Sequence, residues 1–169
     1  MSEPEIREAR ESDAGALLNL YTKLDWETSF MLYEPGERRH TADEMRRRIR
    51  EVKAQENSTL LVVDGGGELV GLLGAFGGRV RRKRHSALII VGILQEFTGR
   101  GIGTRLFERL EAWARRSGVH RLELTVMTHN TAGIALYRKM GFEIEGTRKH
   151  SLLVDGRYLD EYAMAKLLD

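Results

Sequence analysis

From Ala87 to Ser117 the chain runs from an unbroken apolar stretch, through a turn carrying three glycines, into apolar residues at helical spacing. The first stretch, Ala87 to Leu94, is short, β-branched and does not alternate, which predicts a strand buried on both faces. Beyond the turn, Ile102, Leu106, Leu110 and Trp113 form one stripe, with Arg105, Glu108, Glu111 and Arg115 on the opposite side. That spacing predicts an amphipathic helix.

The flanking pattern supplies the other elements. A brief strand is expected around Glu5 to Ala9, then a helix capped by Ser12 with Ala14, Leu17, Leu18, Tyr21 and Leu24 on one face. Periodicity fails from Asp25 to His40, where Trp26, Phe30, Met31 and Tyr33 gather around Pro35 and Gly36; such a loop either packs over the core or walls a pocket. Thr41 with Glu44 makes a capping box for a helix bearing Met45, Ile49 and Val52. Strands Thr59 to Val63 and Leu69 to Phe76 are joined by a glycine turn, a hairpin to which the Ala87 strand adds as the next partner. Leu122, Leu124 and Val126 alternate as a strand, and Ile134, Leu136, Tyr137 and Met140 mark a helix ended by Gly141. A last hairpin, Phe142 to Leu153 and Tyr158 to Leu168, turns at Asp155 and Gly156. The order β-α-α-β-β-β-α-β-α-β-β predicts an α/β mixed sheet with helices on both faces.

A strand feeding a glycine turn at a helix start leaves backbone N–H groups unpaired, and the helix dipole adds partial positive charge. The turn Thr98-Gly99-Arg100-Gly101-Ile102-Gly103-Thr104 is therefore a candidate anion site, most naturally for phosphate. Its glycines do not follow the G-x-G-x-x-G dinucleotide spacing, and no Walker A string occurs.

Composition narrows the classes. The 169 residues and 41% hydrophobic content suit one domain, 1–169, with a single core. There is no Cys, which excludes thiol catalysis, disulfides and Cys-ligated zinc, and no metal site is expected. The charged start from Met1 to Arg10 lacks a signal peptide's apolar core, and no run approaches the roughly 20 apolar residues of a membrane span, so a cytoplasmic protein is expected. A formal charge of +2 is too small to imply a nucleic-acid partner.

Taken in order, several segments resemble the GCN5-related N-acetyltransferase superfamily. They are Val91-Gly92-Ile93, Phe97 to Gly103, Asn130-Thr131-Ala132-Gly133-Ile134-Ala135-Leu136-Tyr137 and Lys139-Met140-Gly141-Phe142; Asp155 to Tyr162 is similar to members acting on small amines or protein N-termini. The resemblance implies that family's acyl-CoA N-acyltransferase fold, a central mixed sheet of about seven strands flanked by four helices. It also implies acetyl-CoA as donor, a small-molecule or peptide amine as acceptor, and a homodimer. By the same resemblance, backbone groups of Val91 and Ile93 pair with the pantetheine amides, and Gly92 admits their close approach. N–H groups of Gly99, Arg100, Gly101, Ile102, Gly103 and Thr104 hold the pyrophosphate. Thr98 stands where the family usually has Arg or Gln, and Arg100 can replace that charge. Asn130 either contacts the pantetheine or caps the following helix.

The implied reaction needs a deprotonated amine, a held tetrahedral oxyanion and a proton for the departing thiolate. The resemblance makes Tyr137 the general acid, although its spacing alone reads as a core aromatic, and the N–H of Ile93 the oxyanion donor. Some relatives place a Glu five residues before the Asn; here it is Thr125, whose hydroxyl cannot serve as base. Glu27 and Glu34 of the aromatic loop are the candidates carried forward, with Glu123, His129 and Glu161 as alternatives.

The densest charge run, Arg79 to His85, reads as a solvated hairpin tip, and it has no interleaved aromatics of the kind that bind single strands. Two other functions remain compatible with the sequence: a non-catalytic acyl-CoA-binding module, and a basic RNA- or ribosome-associated protein.

Overall fold

A computed structural model describes residues 3–169. Its strands are β1 (Glu5–Glu8), β2 (Thr59–Asp64), β3 (Leu69–Gly77), β4 (Ser86–Ile93), β5 (Arg121–Met127), β6 (Glu143–Val154) and β7 (Arg157–Leu167). Its helices are α1 (Ala14–Glu27), α2 (Ala42–Ala54), α3 (Ile102–Arg116) and α4 (Thr131–Lys139). The seven strands form one mixed sheet, as the sequence pattern predicts, and their order is β1-β2-β3-β4-β5-β7-β6. Every neighbouring pair is antiparallel except β4 and β5, because α3 carries the chain back to the start of the sheet between them.

Helices cover both faces. Leu17, Leu20 and Leu24 of α1 and Ile49 of α2 are fully buried, as are Leu106 and Leu110 of α3. Each such burial contributes roughly 1.5–3 kcal/mol. The stripe read from Ile102 to Trp113 is buried throughout, and so are Met45, Ile49 and Val52 of α2. Thr41 caps α2 by accepting from the Glu44 N–H at 3.1 Å.

The start of α1 departs from expectation. Ser12 does not cap it; a short 3-10 turn at Glu11–Asp13 precedes the helix. The Asp13 carboxylate accepts from the Arg10 N–H at 2.7 Å and from both Arg7 terminal nitrogens at 2.8 and 2.9 Å. The Arg7 guanidinium holds that carboxyl below its usual range. α1 also runs further than the sequence suggests, so Trp26 and Glu27 belong to its last turn and the loop begins at Thr28.

β4 is not buried on both faces. Leu88 and Ile90 are 44% and 37% exposed. The residues between them in parity point to α3: a Cβ on Gly103 would stand 3.6 Å from Ile93 Cδ1. Gly92 shares the face of Leu88 and Ile90, where α1 lies. That layer, α1 and α2, packs mainly over β2 and β3, which leaves one face of β4 and β5 open beyond it. An apolar run therefore does not prove two-sided burial.

Candidate active site

The parallel pair is short. Ser86, Ala87 and Leu88 pair with Arg121, Leu122 and Glu123, and there the pairing ends. Beyond it β4 continues to Ile93 with β3 alone for a neighbour, and β5 continues to Met127 with β7 alone. The two strands thus open into a V whose inner edges, including Val91, Gly92 and Ile93, face no strand. Inner-edge amides without a partner strand are what an extended, amide-bearing chain would pair with.

At the open end of the V sits the start of α3. Gly99 and Gly101 have φ of +72° and +81°, conformations that favour glycine, and a Cβ on either would meet nothing within 4 Å. Gly101 is the N-cap and offers no side chain to the helix, so the N–H groups of Ile102, Gly103 and Thr104 lack a side-chain cap. Gly103 has a different reason to be glycine: a Cβ there would stand 2.8 Å from Leu136 Cδ2, so its bare Cα lets α3 pack on α4. The same holds for Gly92, whose Cβ would stand 2.8 Å from Leu24 Cδ1. Protein side chains occupy the space where a Cβ would stand at these two positions.

Thr98 closes the turn before the helix, its hydroxyl donating to the Gln95 carbonyl at 2.6 Å. The Arg100 guanidinium is exposed and lies 4.9 Å from the Phe97 ring centre. A second cation, Lys139 at the end of α4, donates to Thr104 Oγ1 at 3.1 Å. Sequence reasoning passed over Lys139, because a lysine in the last turn of a helix reads as a complement to the helix dipole.

Asn130 does cap α4, its Oδ1 accepting from the Gly133 N–H at 3.0 Å, and its amide nitrogen makes no hydrogen bond among the described residues. Tyr137 lies about two helix turns further on. Its ring is buried against Phe107 and Phe142, with centroids 5.7 and 6.3 Å away. Burial pushes its phenol up to about 12. The hydroxyl makes no hydrogen bond to a described residue, yet it is not walled in. Ser86 Oγ and Arg105 Nη1 are the enclosed side-chain polar atoms without one among the described residues, and the latter lies 3.0 Å from the Glu3 carboxylate.

The acidic candidates separate. Glu27 ends α1 with its carboxylate accepting from the Gln95 N–H at 2.5 Å, two residues past Ile93. Glu34 is exposed in the loop, and its carboxylate makes neither a hydrogen bond nor an ion pair among the described residues. Glu123 lies at the closed end of the V, bound to Arg121 at 2.9 Å. Glu161 is half-buried on β7 beside Met127 and accepts from Ser151 at 2.7 Å. His129 follows β5, its ring 5.2 Å from that of Phe30. The loop after α1 thus touches both arms of the V: Met31 Sδ lies 3.6 Å from where a Gly92 Cβ would stand, and Phe30 reaches His129. Two half-open grooves lie elsewhere, about 220 Å³ between α2 and β3 and about 380 Å³ between α2 and Trp113. No group of residues able to hold a metal occurs among the described residues, and no helix there is long and apolar enough to cross a membrane.

A parallel pair that opens above a glycine-started helix defines the N-acetyltransferase class of fold. The chain belongs to the Acetyltransferase (GNAT) family, whose sequence profile matches residues 19–142. Over 105 residues it is 36% identical to the L-amino acid N-acetyltransferase AaaT of Escherichia coli (strain K12), a match covering 60% of this chain and 63% of that one. The chain thus spans less than two thirds of that relative. A crystal structure of a GNAT-family acetyltransferase from Streptococcus pneumoniae superposes with a TM-score of 0.95 at 31% identity, covering 98% of this chain and all of that one. The fold is also that of yncA of Salmonella typhimurium, solved with its cofactor acetyl-CoA. The TM-score there is 0.88 at 24% identity, covering 99% of this chain and 95% of that one.

Proposed function

We propose that residues 1–169 act as one acetyl-CoA-dependent N-acetyltransferase, with a primary amine of an amino acid, another small molecule or a protein N-terminus as acceptor. The observation that carries this reading is the opening of β4 from β5 after Leu88, in line with the uncapped, glycine-started α3. Open space above Gly99 and Gly101 fits a pyrophosphate on the N–H groups from Gly99 to Thr104, with Arg100 and Lys139 as nearby cations. Val91 and Ile93 offer backbone groups to the pantetheine along the free edge of β4, and the Asn130 amide nitrogen offers a further donor. Acetyl-CoA supplies an acyl group joined to a good thiol leaving group.

The chain's own residues then divide the work. The Ile93 N–H stabilises the developing oxyanion. Tyr137 donates the proton that the departing sulfur needs; a phenol near 12 is still protonated at pH about 10, where an amine of that pKa becomes reactive. Glu27 receives the amine's proton, directly or through water, because its bond to the Gln95 N–H brings a carboxylate to the end of β4. Glu27→Gln keeps an acceptor for that N–H but removes the base, and kcat/KM is expected to fall about tenfold to a hundredfold with the acidic limb of the pH profile altered. Glu34→Gln is expected to change the rate less than about twofold, since its carboxylate has no tie to the V. Equal effects in the two variants would move the base to Glu161 or His129.

The E. coli relative, named an L-amino acid N-acetyltransferase, supports this acceptor class. Free CoA thiol is to be measured across the twenty L-amino acids, polyamines, aminoglycosides and N-terminal peptides. Turnover of an α-amino group is the expected result. Acetyl-CoA binding without turnover of any amine would instead make the chain an acyl-CoA-binding module, and salt-steep RNA retention would make it an RNA-associated protein. A homodimer in the cytoplasm belongs to the same proposal, checked by light scattering and fractionation.

A further inference from the structure

The segment from Thr28 to Thr41 contains neither helix nor strand, and it holds itself only by short local bonds: Glu37 N–H to the Glu34 carbonyl, Glu34 N–H to the Glu37 carboxylate and Phe30 N–H to Thr28 Oγ1, each at 3.1 Å. A connection of this length without its own scaffold is kept in place from outside. Arg38 is the tie. Its Nε and Nη2 donate to the two Asp25 oxygens at 2.8 and 3.1 Å, a bidentate pair in which the side chains are 10% and 2% exposed. The guanidinium carbon also lies over two aromatic rings, 4.2 Å from the centre of Tyr21 of α1 and 4.3 Å from that of Tyr33 of the loop. Tyr33 is held a second time, edge-on, by His40 at 6.1 Å.

A buried ion pair is weak evidence for stability, since the desolvation of both charges offsets their attraction. Geometry is what this one provides: two parallel bonds set the plane, and the plane sets Tyr33. With Tyr33 and Arg38 pinned against α1, the preceding Phe30 and Met31 are directed at His129 and Gly92, across the mouth of the V. We infer that the Asp25–Arg38 pair, with Tyr21 and Tyr33 against its guanidinium, is a latch that positions the acceptor-facing wall of the site. Arg38 is thus a positioning residue for amine binding that touches neither reacting group. This inference rests on the acetyl-transfer reading given above.

Two readouts test it. Glutamyl endopeptidase reports the loop directly, because, although the bond after Glu34 precedes Pro35 and resists cleavage, Glu37 is exposed within it. In Arg38→Met, cleavage there is expected to accelerate about tenfold or more, with KM for the fastest amine of the screen rising about tenfold and kcat and the calorimetric Kd for acetyl-CoA staying within about twofold. Arg38→Lys, which keeps the charge without the fork or the plane, should fall between Arg38→Met and the parent. Tyr33→Leu removes one ring without uncovering the buried carboxylate, and supplies the same comparison if Arg38→Met does not fold. Unchanged cleavage would overturn the latch, and faster cleavage with unchanged KM would show a held loop that walls nothing. If the parent protein turns over no amine, the acetyl-transfer reading fails, while the cleavage rates still decide whether the latch holds the loop.

Discussion

Tyr137→Phe lowers kcat by about a hundredfold or more while acetyl-CoA affinity stays within about tenfold: that is the expected result if the phenol is the proton donor. The substitution leaves the ring packed on Phe107 and Phe142 and removes one oxygen that bonds to no described residue. A purely structural tyrosine would therefore lose almost nothing. Burial raises the phenol to about 12, so both the acid and its contribution to stability are intact below the ordinary value of about 10 and are lost as pH rises through the folded value. Rates should accordingly climb with pH as the amine deprotonates, with no falling limb before about pH 10.5. A variant with undiminished kcat, or a parent profile that declines near pH 9, would return Tyr137 to the core and leave the leaving thiolate to be protonated by water.

The second large effect separates two glycines that look alike in the sequence. Gly101→Val puts a β-branched residue at φ +81° and fills the open space above the α3 N–H groups; acetyl-CoA affinity is expected to fall more than about a hundredfold. Part of the cost falls on the fold as well, because a left-handed valine costs roughly 1–2 kcal/mol. Gly103→Ala acts in the other order. Its Cβ would stand 2.8 Å from Leu136, so overpacking of α3 on α4 should destabilise by about 1–3 kcal/mol, with acetyl-CoA binding little changed in the folded fraction. Calorimetry and thermal melts on both variants make the comparison. Equal losses of affinity at matched stability would mean that Gly103 also faces the ligand.

What the sequence by itself determined is the order and type of the elements, because each depends on neighbours within a few residues. The stripe from Ile102 to Trp113, the Thr41 cap and the turn at Asp155 and Gly156 are all local signals, and the structure has them. The donor-rich start of α3 was legible for the same reason: unpaired N–H groups follow from glycines before a helix, whatever the rest of the chain does. Local patterning misled where burial depends on the layer above. Ala87 to Leu94 reads as buried on both sides, but no periodicity reveals that α1 reaches β4 at Gly92 and leaves Leu88 and Ile90 exposed.

Only the tertiary structure decided how the pieces of the site meet. The V between β4 and β5 exists because pairing ends at Leu88 and Glu123, a fact about two strands joined through α3. Glu27 reaches Gln95 across 68 residues and Lys139 reaches Thr104 across 35, and neither pair has a signature in composition or spacing. Asp25 and Arg38, 13 residues apart, read as two ordinary charges at either end of an aromatic loop. The fold removes both from water and brings Tyr21 and Tyr33 against the guanidinium, because closing the loop onto α1 leaves Asp25 no other partner for its buried charge among the described residues.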